Sequence, residues 1–506
     1  MDNFAGLSAS PSPETELAAL ANAEPELKAL LAAGVAPGPA LLRRGMQLMR
    51  ENRLPEALAR FRSATILAPA NPTVWTNYGV TLDRSGALPE AAAALEHSLA
   101  LSPQQPDTWL LLGLTRAKQG QGEAAEAAYR TVMEQQPESA LVWQCFGLLR
   151  EGQKRFPEAI DCFQAAIQRG GPTAALCGNL GKLLHQLGRI PESCLAYADA
   201  VALDPTNFRY RELLRKVTFL QDVLGGASVE AATAAFRAAF EEGKAPDDKE
   251  IAELYHFAFG FFSGFNQPEA AARVGKRHLE LWPDNQSMAY LLRAVGGDAA
   301  LARSPAAYIT EHFDAFAAGF DEQLVGVLGY DLPEKIVEAV RTVAAPAHLY
   351  DVIDAGCGTG LCGPLLRPWA RTLVGVDLSA KMLEQAARRD IYDSLVCEDL
   401  ITFLLRSAGR FDLMLAADVF IYLGDLAEPF AAAAQALCPG GLLAFSTERL
   451  AEGTFQLQPS GRFGHSPDYV RQQASESFAE LACLETTIRL ERTARVPGQI
   501  FVLRRR

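Results

Sequence analysis

Apolar positions along this chain follow two rhythms, one helical and repeating, the other short and strand-like. Trp75, Trp109 and Trp143 recur every 34 residues, as do Gly45, Gly79, Gly113, Gly147 and Gly181. Each unit keeps a small residue (Ala57, Ala91, Ala125, Ala159, then Ser193) and a large one four positions later (Phe61, Leu95, Tyr129, Phe163, Tyr197). A closing proline often follows (Pro69, Pro103, Pro137, Pro205). That spacing predicts paired helices in a solenoid whose repeats bury their core against their neighbours. Further on, short apolar runs replace the helical period: Leu349, Val352 and Ile353, then 372–376, 394–397 and 411–415, with Gly440 and Gly441 opening a fifth that ends near Ser446. Helical stretches alternate with these runs, which predicts a doubly wound, mostly parallel sheet with its ligand at the carboxyl ends of the strands.

The first strand ends in glycines at 356, 358 and 360, which allow positive φ and a close backbone approach to a ligand. The second ends at Asp377, 21 residues after Gly356, where a carboxylate can accept both hydroxyls of a ribose. Together they predict an adenosine-like ligand. A dinucleotide would need a GxGxxG turn for its pyrophosphate, and the GxGxG spacing here departs from it.

With Asp354-Ala355-Gly356-Cys357-Gly358-Thr359-Gly360, then Asp377, Asp399 and Ala417-Asp418-Val419 in that order, residues from about 308 onwards resemble a class I methyltransferase using S-adenosylmethionine. The resemblance implies a seven-stranded Rossmann-like α/β domain. It assigns the methionine end of the cofactor to Asp354, Gly356, Cys357, Gly358 and Gly360, and the ribose to Asp377 with Leu378 and Met382. The adenine falls to Asp399 and Leu400, and the sulfonium to Ala417 and Asp418. Cys357 reads as a small loop-filling side chain, not a nucleophile.

The 34-residue units resemble the tetratricopeptide repeat, and the segment 461–469, together with Tyr308, Phe313-Asp314 and Phe320-Asp321 upstream, resembles a bacterial group of predicted methyltransferases fused to such repeats. The expected layout is a tail with an amphipathic helix (1–37), five repeats (38–207), a capping helix with degenerate repeat-like helices (208–300) and the methyltransferase domain (301–506). In related folds aromatic residues upstream of the glycine turn close over the cofactor. Tyr308 and Phe320 take that part, unless the segment is a plain amphipathic helix with Leu324 and Leu328.

Methyl transfer from a sulfonium is a direct displacement that needs alignment more than covalent help. A general base helps a hydroxyl or amine acceptor but not a carboxylate. Candidates are Arg462, His465 and Tyr469, in a stretch that interrupts the αβ rhythm. The alternative for His465 is an exposed neighbour of a helix start, since Ser466 can cap and Pro467 suits the first turn. Asp418 lacks the Pro-Pro-Tyr or Pro-Pro-Phe that follows it in enzymes acting on planar amide or base nitrogens.

Repeat positions expected on the concave face are mixed and largely apolar: Thr73, Thr76, Val80 and Asp83; Asp107, Leu110, Leu114 and Ala117; Leu141, Gln144, Leu148 and Glu151; Ala175, Gly178, Lys182 and His185. Such a groove suits an apolar or amphipathic segment: a substrate protein, a partner, or the chain's own helix 16–32 with leucines 17, 20, 27, 30 and 31. The net charge of -13 argues against a nucleic-acid partner, which needs a basic face. No apolar span reaches membrane length, residues 1–13 lack a signal peptide's features, and the nine cysteines show no zinc spacing. The chain is therefore expected to be cytoplasmic and free of structural metal. Three functions stay open: a protein methyltransferase whose repeats recruit its substrate, a small-molecule methyltransferase whose repeats serve assembly, and a scaffold with a non-catalytic cofactor-binding domain.

Overall fold

The computed structural model describes residues 13–241, 244–296, 301–322, 330–344, 348–491 and 494–506. Leu324, Leu328 and nearly all of the stretch 1–13 lie outside them. The chain forms two compact units, Met1–Val217 and Thr218–Arg506.

Among the described residues the first unit holds helices and no strand. Its five pairs begin with Pro37–Arg50 and Leu54–Leu67 and end with Ala174–Gln186 and Ile190–Leu203. The repeated glycines sit where the helices of a pair cross. A Cβ at Gly45, Gly113 or Gly147 would stand 2.6, 2.4 or 2.7 Å from the ring of Phe61, Tyr129 or Phe163, so the ring occupies the space of the missing side chain. The tryptophans bind repeat to repeat: the Trp75 and Trp109 indole N–H groups donate to the Pro69 and Pro103 carbonyls at 2.7 and 2.9 Å.

The stretch 16–32 is two helices, Pro13–Ala23 and Pro25–Ala32, broken because proline cannot continue a helix from the residue before it. Leu17, Leu20, Leu27, Leu30 and Leu31 pack with Leu41, Ala64 and Val74, so this pair is docked on the first repeat and the start of the second. Glu24 at the break is buried and accepts hydrogen bonds from Arg44 Nε (3.0 Å) and Arg60 Nε (2.8 Å). Burial works against its charge, but the two guanidinium groups outweigh it and hold the carboxyl below the usual range. Among the groove positions Leu141 and Leu148 are exposed, Leu110 is buried, and Gly178 lies beneath the Tyr210 ring.

The second unit opens with helices and continues into a nine-stranded sheet. Asp248–Gly264 and Pro268–Leu281 pack as a pair with Ala271 fully buried, the repeat-like arrangement expected over 255–283. The strands are β1 (Tyr350–Ala355), β2 (Ala370–Asp377), β3 (Ser394–Cys397), β4 (Phe411–Ala416), β5 (Leu437–Arg449), β6 (Phe455–Leu457), β7 (Phe463–His465), β8 (Phe478–Glu491) and β9 (Ala494–Arg505). Strands β3, β2, β1, β4 and β5 run parallel in that order; β9 adds antiparallel to β5 and β8 to β9. These seven make the main sheet. The short β6–β7 hairpin, which pairs with the end of β5, fills the place where the sequence predicts a substrate loop. One face buries Ile353, Val374, Met414, Phe430 and Phe445, and the other Val352, Leu373, Leu413, Ile336 and Val502, so strands that read as continuous apolar runs are covered on both sides.

Candidate active site

The carboxyl ends of β1, β2, β3 and β4 converge on a cavity of about 650 Å³. Asp354, Gly356, Cys357, Gly358, Asp377, Leu378, Asp399, Leu400, Ala417, Asp418, Phe320 and Arg462 all line it. Gly356 and Gly358 have φ of 65° and 54°. A Cβ on Gly356 would stand 2.4 Å from Val419 Cγ2, whereas Gly358 has nothing within 4 Å and leaves its side of the cavity open. Gly360 lies outside the lining, against Tyr392 and Arg389.

Asp377 is gripped from the backbone: the Gly358 and Ser379 amides donate to its two oxygens at 2.9 and 2.8 Å. Burial nevertheless raises its pKa against those bonds. Asp354 is fully buried and accepts from the Tyr392 hydroxyl at 2.7 Å. Its pKa is pushed up to about 7, first by burial and then by the charge of Asp377, with the tyrosine hydrogen bond opposing. Met382, predicted beside the ribose, is buried outside the lining; its amide donates to Ser379 Oγ at the start of helix Ala380–Ala387. Asp399 caps helix Leu400–Leu405 through the Thr402 amide at 3.1 Å and faces Arg303 at 3.4 Å.

Helix Ala306–Phe316 and the turn after it form a roof over the glycine turn. Three bonds fasten it: the Ser379 hydroxyl donates to Asp314 at 2.5 Å, and Thr359 and Arg389 both donate to Asp321. From this roof Ile309, His312, Phe313, Phe316 and Phe320 enter the lining. Tyr308 does not: it is buried behind His312, ring centroids 5.8 Å apart, and against Tyr290 at 4.8 Å.

Two candidates for proton transfer are displaced from the chemistry. His465 is fully buried and its Nε2 lies 3.1 Å from the Gly424 carbonyl. Burial pushes its pKa down to about 4 against that bond. Tyr469 is buried beside it; its hydroxyl accepts from the Leu426 amide at 3.1 Å and lies 3.3 Å from Asp425. Neither lines the cavity; both brace the segment 424–426, because the β6–β7 hairpin folds onto it. Ser466 does cap helix Pro467–Ala474, through the Tyr469 amide.

Several lining residues carried no sequence signal that singled them out. Arg489 comes from β8 and reaches Asp418 at 3.7 Å while also pairing with buried Glu448. Asp418 has φ of 57°, and its amide donates to Ser446 Oγ at 2.9 Å. A side chain in that left-handed conformation is strained and must be held by its surroundings. His312 sits four residues after Tyr308, a helical spacing that puts the two on one face of the roof helix.

Comparison with known proteins agrees with this geometry. Residues 353–445 match the family described as "Methyltransferase domain". Residues 146–208 match "Tetratricopeptide repeat", and 51–169 match "Cilia and flagella-associated protein 70 middle TPR-like domain". The chain is 27% identical over 144 residues to the ubiquinone biosynthesis O-methyltransferase of Coxiella burnetii, covering 26% of this chain and 61% of that one. It is 35% identical over 117 residues to the malonyl-[acyl-carrier protein] O-methyltransferase of Enterobacter lignolyticus, covering 23% and 46%. The chain thus spans roughly half to three-fifths of these relatives' lengths. Among solved structures, N-methyltransferase NodS from Bradyrhizobium japonicum, in complex with S-adenosyl-L-homocysteine, aligns at 16% identity and a TM-score of 0.32, covering 39% of this chain and 98% of that one. The protein joins N-terminal tetratricopeptide repeats to a C-terminal methyltransferase domain.

Proposed function

We propose that this chain is an S-adenosylmethionine-dependent methyltransferase acting by direct in-line displacement, and that its repeats recruit a protein substrate or partner. The observation that carries the first part is the convergence of an open glycine turn, the backbone-held Asp377 and Asp399 in one roofed cavity. The residues fit the cofactor. Gly358 leaves room for its amino-acid end, both Asp377 oxygens lie where ribose hydroxyls can donate, and Leu378 and Leu400 offer apolar faces to a purine. When bound, the cofactor supplies an electrophilic methyl group on a sulfonium. The protein's part is to orient the two reactants, exclude water beneath the roof and accept a proton where the acceptor carries one. Both aligned curated relatives are named as O-methyltransferases, which supports an oxygen acceptor.

The exposed Leu141 and Leu148, seven residues apart on one helix, support the recruiting role. A second reading, a small-molecule acceptor with the repeats serving assembly, is favoured by the apolar roof residues Ile309, Phe313 and Phe316. Calorimetry tests the core of the proposal: S-adenosylhomocysteine is expected to bind and to raise Tm, and Asp377→Ala to weaken binding at least tenfold. Absence of binding by the intact chain would leave a scaffold as the better reading. Leu141→Glu with Leu148→Glu separates the other two, since only recruitment through the groove would lose a protein acceptor while cofactor binding persists.

A further inference from the structure

Among the described lining residues, most proton-accepting side chains are already engaged. Asp354 is bonded by Tyr392, Asp377 by two amides, Asp399 by Thr402 and Arg303, Glu398 by Arg406, and Asp418 by Arg489. His312 differs. Its ring is held by aromatic contacts, to Tyr308, Phe313 at 5.3 Å and Phe316 at 5.1 Å, and makes no hydrogen bond among the described residues. Phe313 in turn meets Tyr422 at 5.7 Å, in the turn after β4 whose Val419 lies over Gly356. The imidazole therefore lines the same cavity as the glycine turn, inside an apolar wall of Ile309, Phe313, Phe316 and Ile421.

We infer, resting on the methyltransferase reading, that His312 is the proton acceptor for a phenolic hydroxyl whose ring lies against this wall. An apolar aromatic ring complements the wall. A carboxylate acceptor would need no base, and an aliphatic alcohol, a far weaker acid, would demand a stronger one. A phenol, with an ordinary pKa of ~10, is far more acidic. Burial, reinforced by the charge of Arg462, pushes the His312 pKa down to about 4, which leaves the imidazole neutral but a weak base, so it takes the proton only as the methyl group transfers. Arg462 lines the same cavity, where its charge favours the developing phenolate oxygen. In the step, the hydroxyl proton passes to an imidazole nitrogen and an oxygen lone pair forms the O–CH3 bond. The S–CH3 bond breaks with its electron pair left on sulfur. The products are an aryl methyl ether, S-adenosylhomocysteine and an imidazolium that returns its proton to solvent.

The test uses the full chain and two probes, 4-nitrocatechol and N-acetyltyrosine amide, which separate a small phenol from a tyrosyl side chain. Ether formation from at least one is expected. His312→Ala and His312→Asn should each lower kcat about 100-fold or more, read at saturating S-adenosylmethionine so that a change in cofactor affinity does not enter. A chain that binds S-adenosylhomocysteine but forms no ether from either probe overturns the inference and leaves the methyltransferase reading standing. Ether formation that survives both substitutions within threefold also overturns it. Failure to bind S-adenosylhomocysteine removes the methyltransferase reading and this inference with it.

Discussion

Glycine does opposite work in the two units. At Gly113 the backbone is helical, and the missing side chain is replaced by the Tyr129 ring; at Gly358 the backbone is left-handed, and the missing side chain is replaced by nothing. The repeat glycine is spent on packing within the protein, the turn glycine on space kept for something outside it. The same residue, recurring at regular intervals in one unit and clustered in the other, thus reports stability in the first and binding in the second. Gly356 combines the two demands, with positive φ and Val419 filling the place of a side chain.

Substitutions by alanine should separate these roles. Gly356→Ala meets both strain and a clash and is expected to cost about 3 kcal/mol or more, with loss of S-adenosylhomocysteine binding, by denaturant unfolding and calorimetry. Gly113→Ala should cost about 1–3 kcal/mol and leave cofactor affinity unchanged. If Gly113→Ala instead weakened cofactor binding, the division between packing and binding glycines would fail. Gly358→Ala should cost about 1–2 kcal/mol through its φ alone, yet lower cofactor affinity about tenfold.

A different kind of effect concerns pH. Asp354 has a folded-state pKa near 7, above its value in the unfolded chain, so the native state binds the extra proton. Its contribution to stability is complete below the unfolded pKa and is lost as pH rises through about 7. Asp354→Asn should flatten the decline in stability between pH 4 and 7, measured by urea unfolding at a series of pH values. An unchanged slope would show that Asp354 is not the group titrating there.

Patterns local in sequence were legible: the 34-residue period located the helix crossings, and apolar runs ending in Gly356 and Asp377 located the cavity. What was hidden depends on distant segments meeting. Arg489 reaches Asp418 from β8, 71 positions along the chain, and nothing near either residue announces the pair. His465 read as a possible base because its stretch interrupts the αβ rhythm as a substrate loop would, whereas β6 and β7 pair into a hairpin that buries it. Tyr308 and His312 lie on one helix at a spacing visible in the sequence, but only the packing of Tyr290 against Tyr308 shows which of them faces the cavity.

Tyr290 carries a further consequence. Its hydroxyl lies 2.7 Å from Ser304 Oγ and donates to the Gly461 carbonyl at 2.8 Å, while its ring shares a buried cluster with Tyr308, Ile421, Leu457 and Phe463. Helix Gln286–Val295 is thus a wall of the second unit rather than the last link of a detachable array. A chimera cut between residues 295 and 301 would bare that cluster to water. Recombination, natural or engineered, would keep this unit intact only with a junction upstream of the helix, so the movable module is longer than the segment its glycine signature delimits.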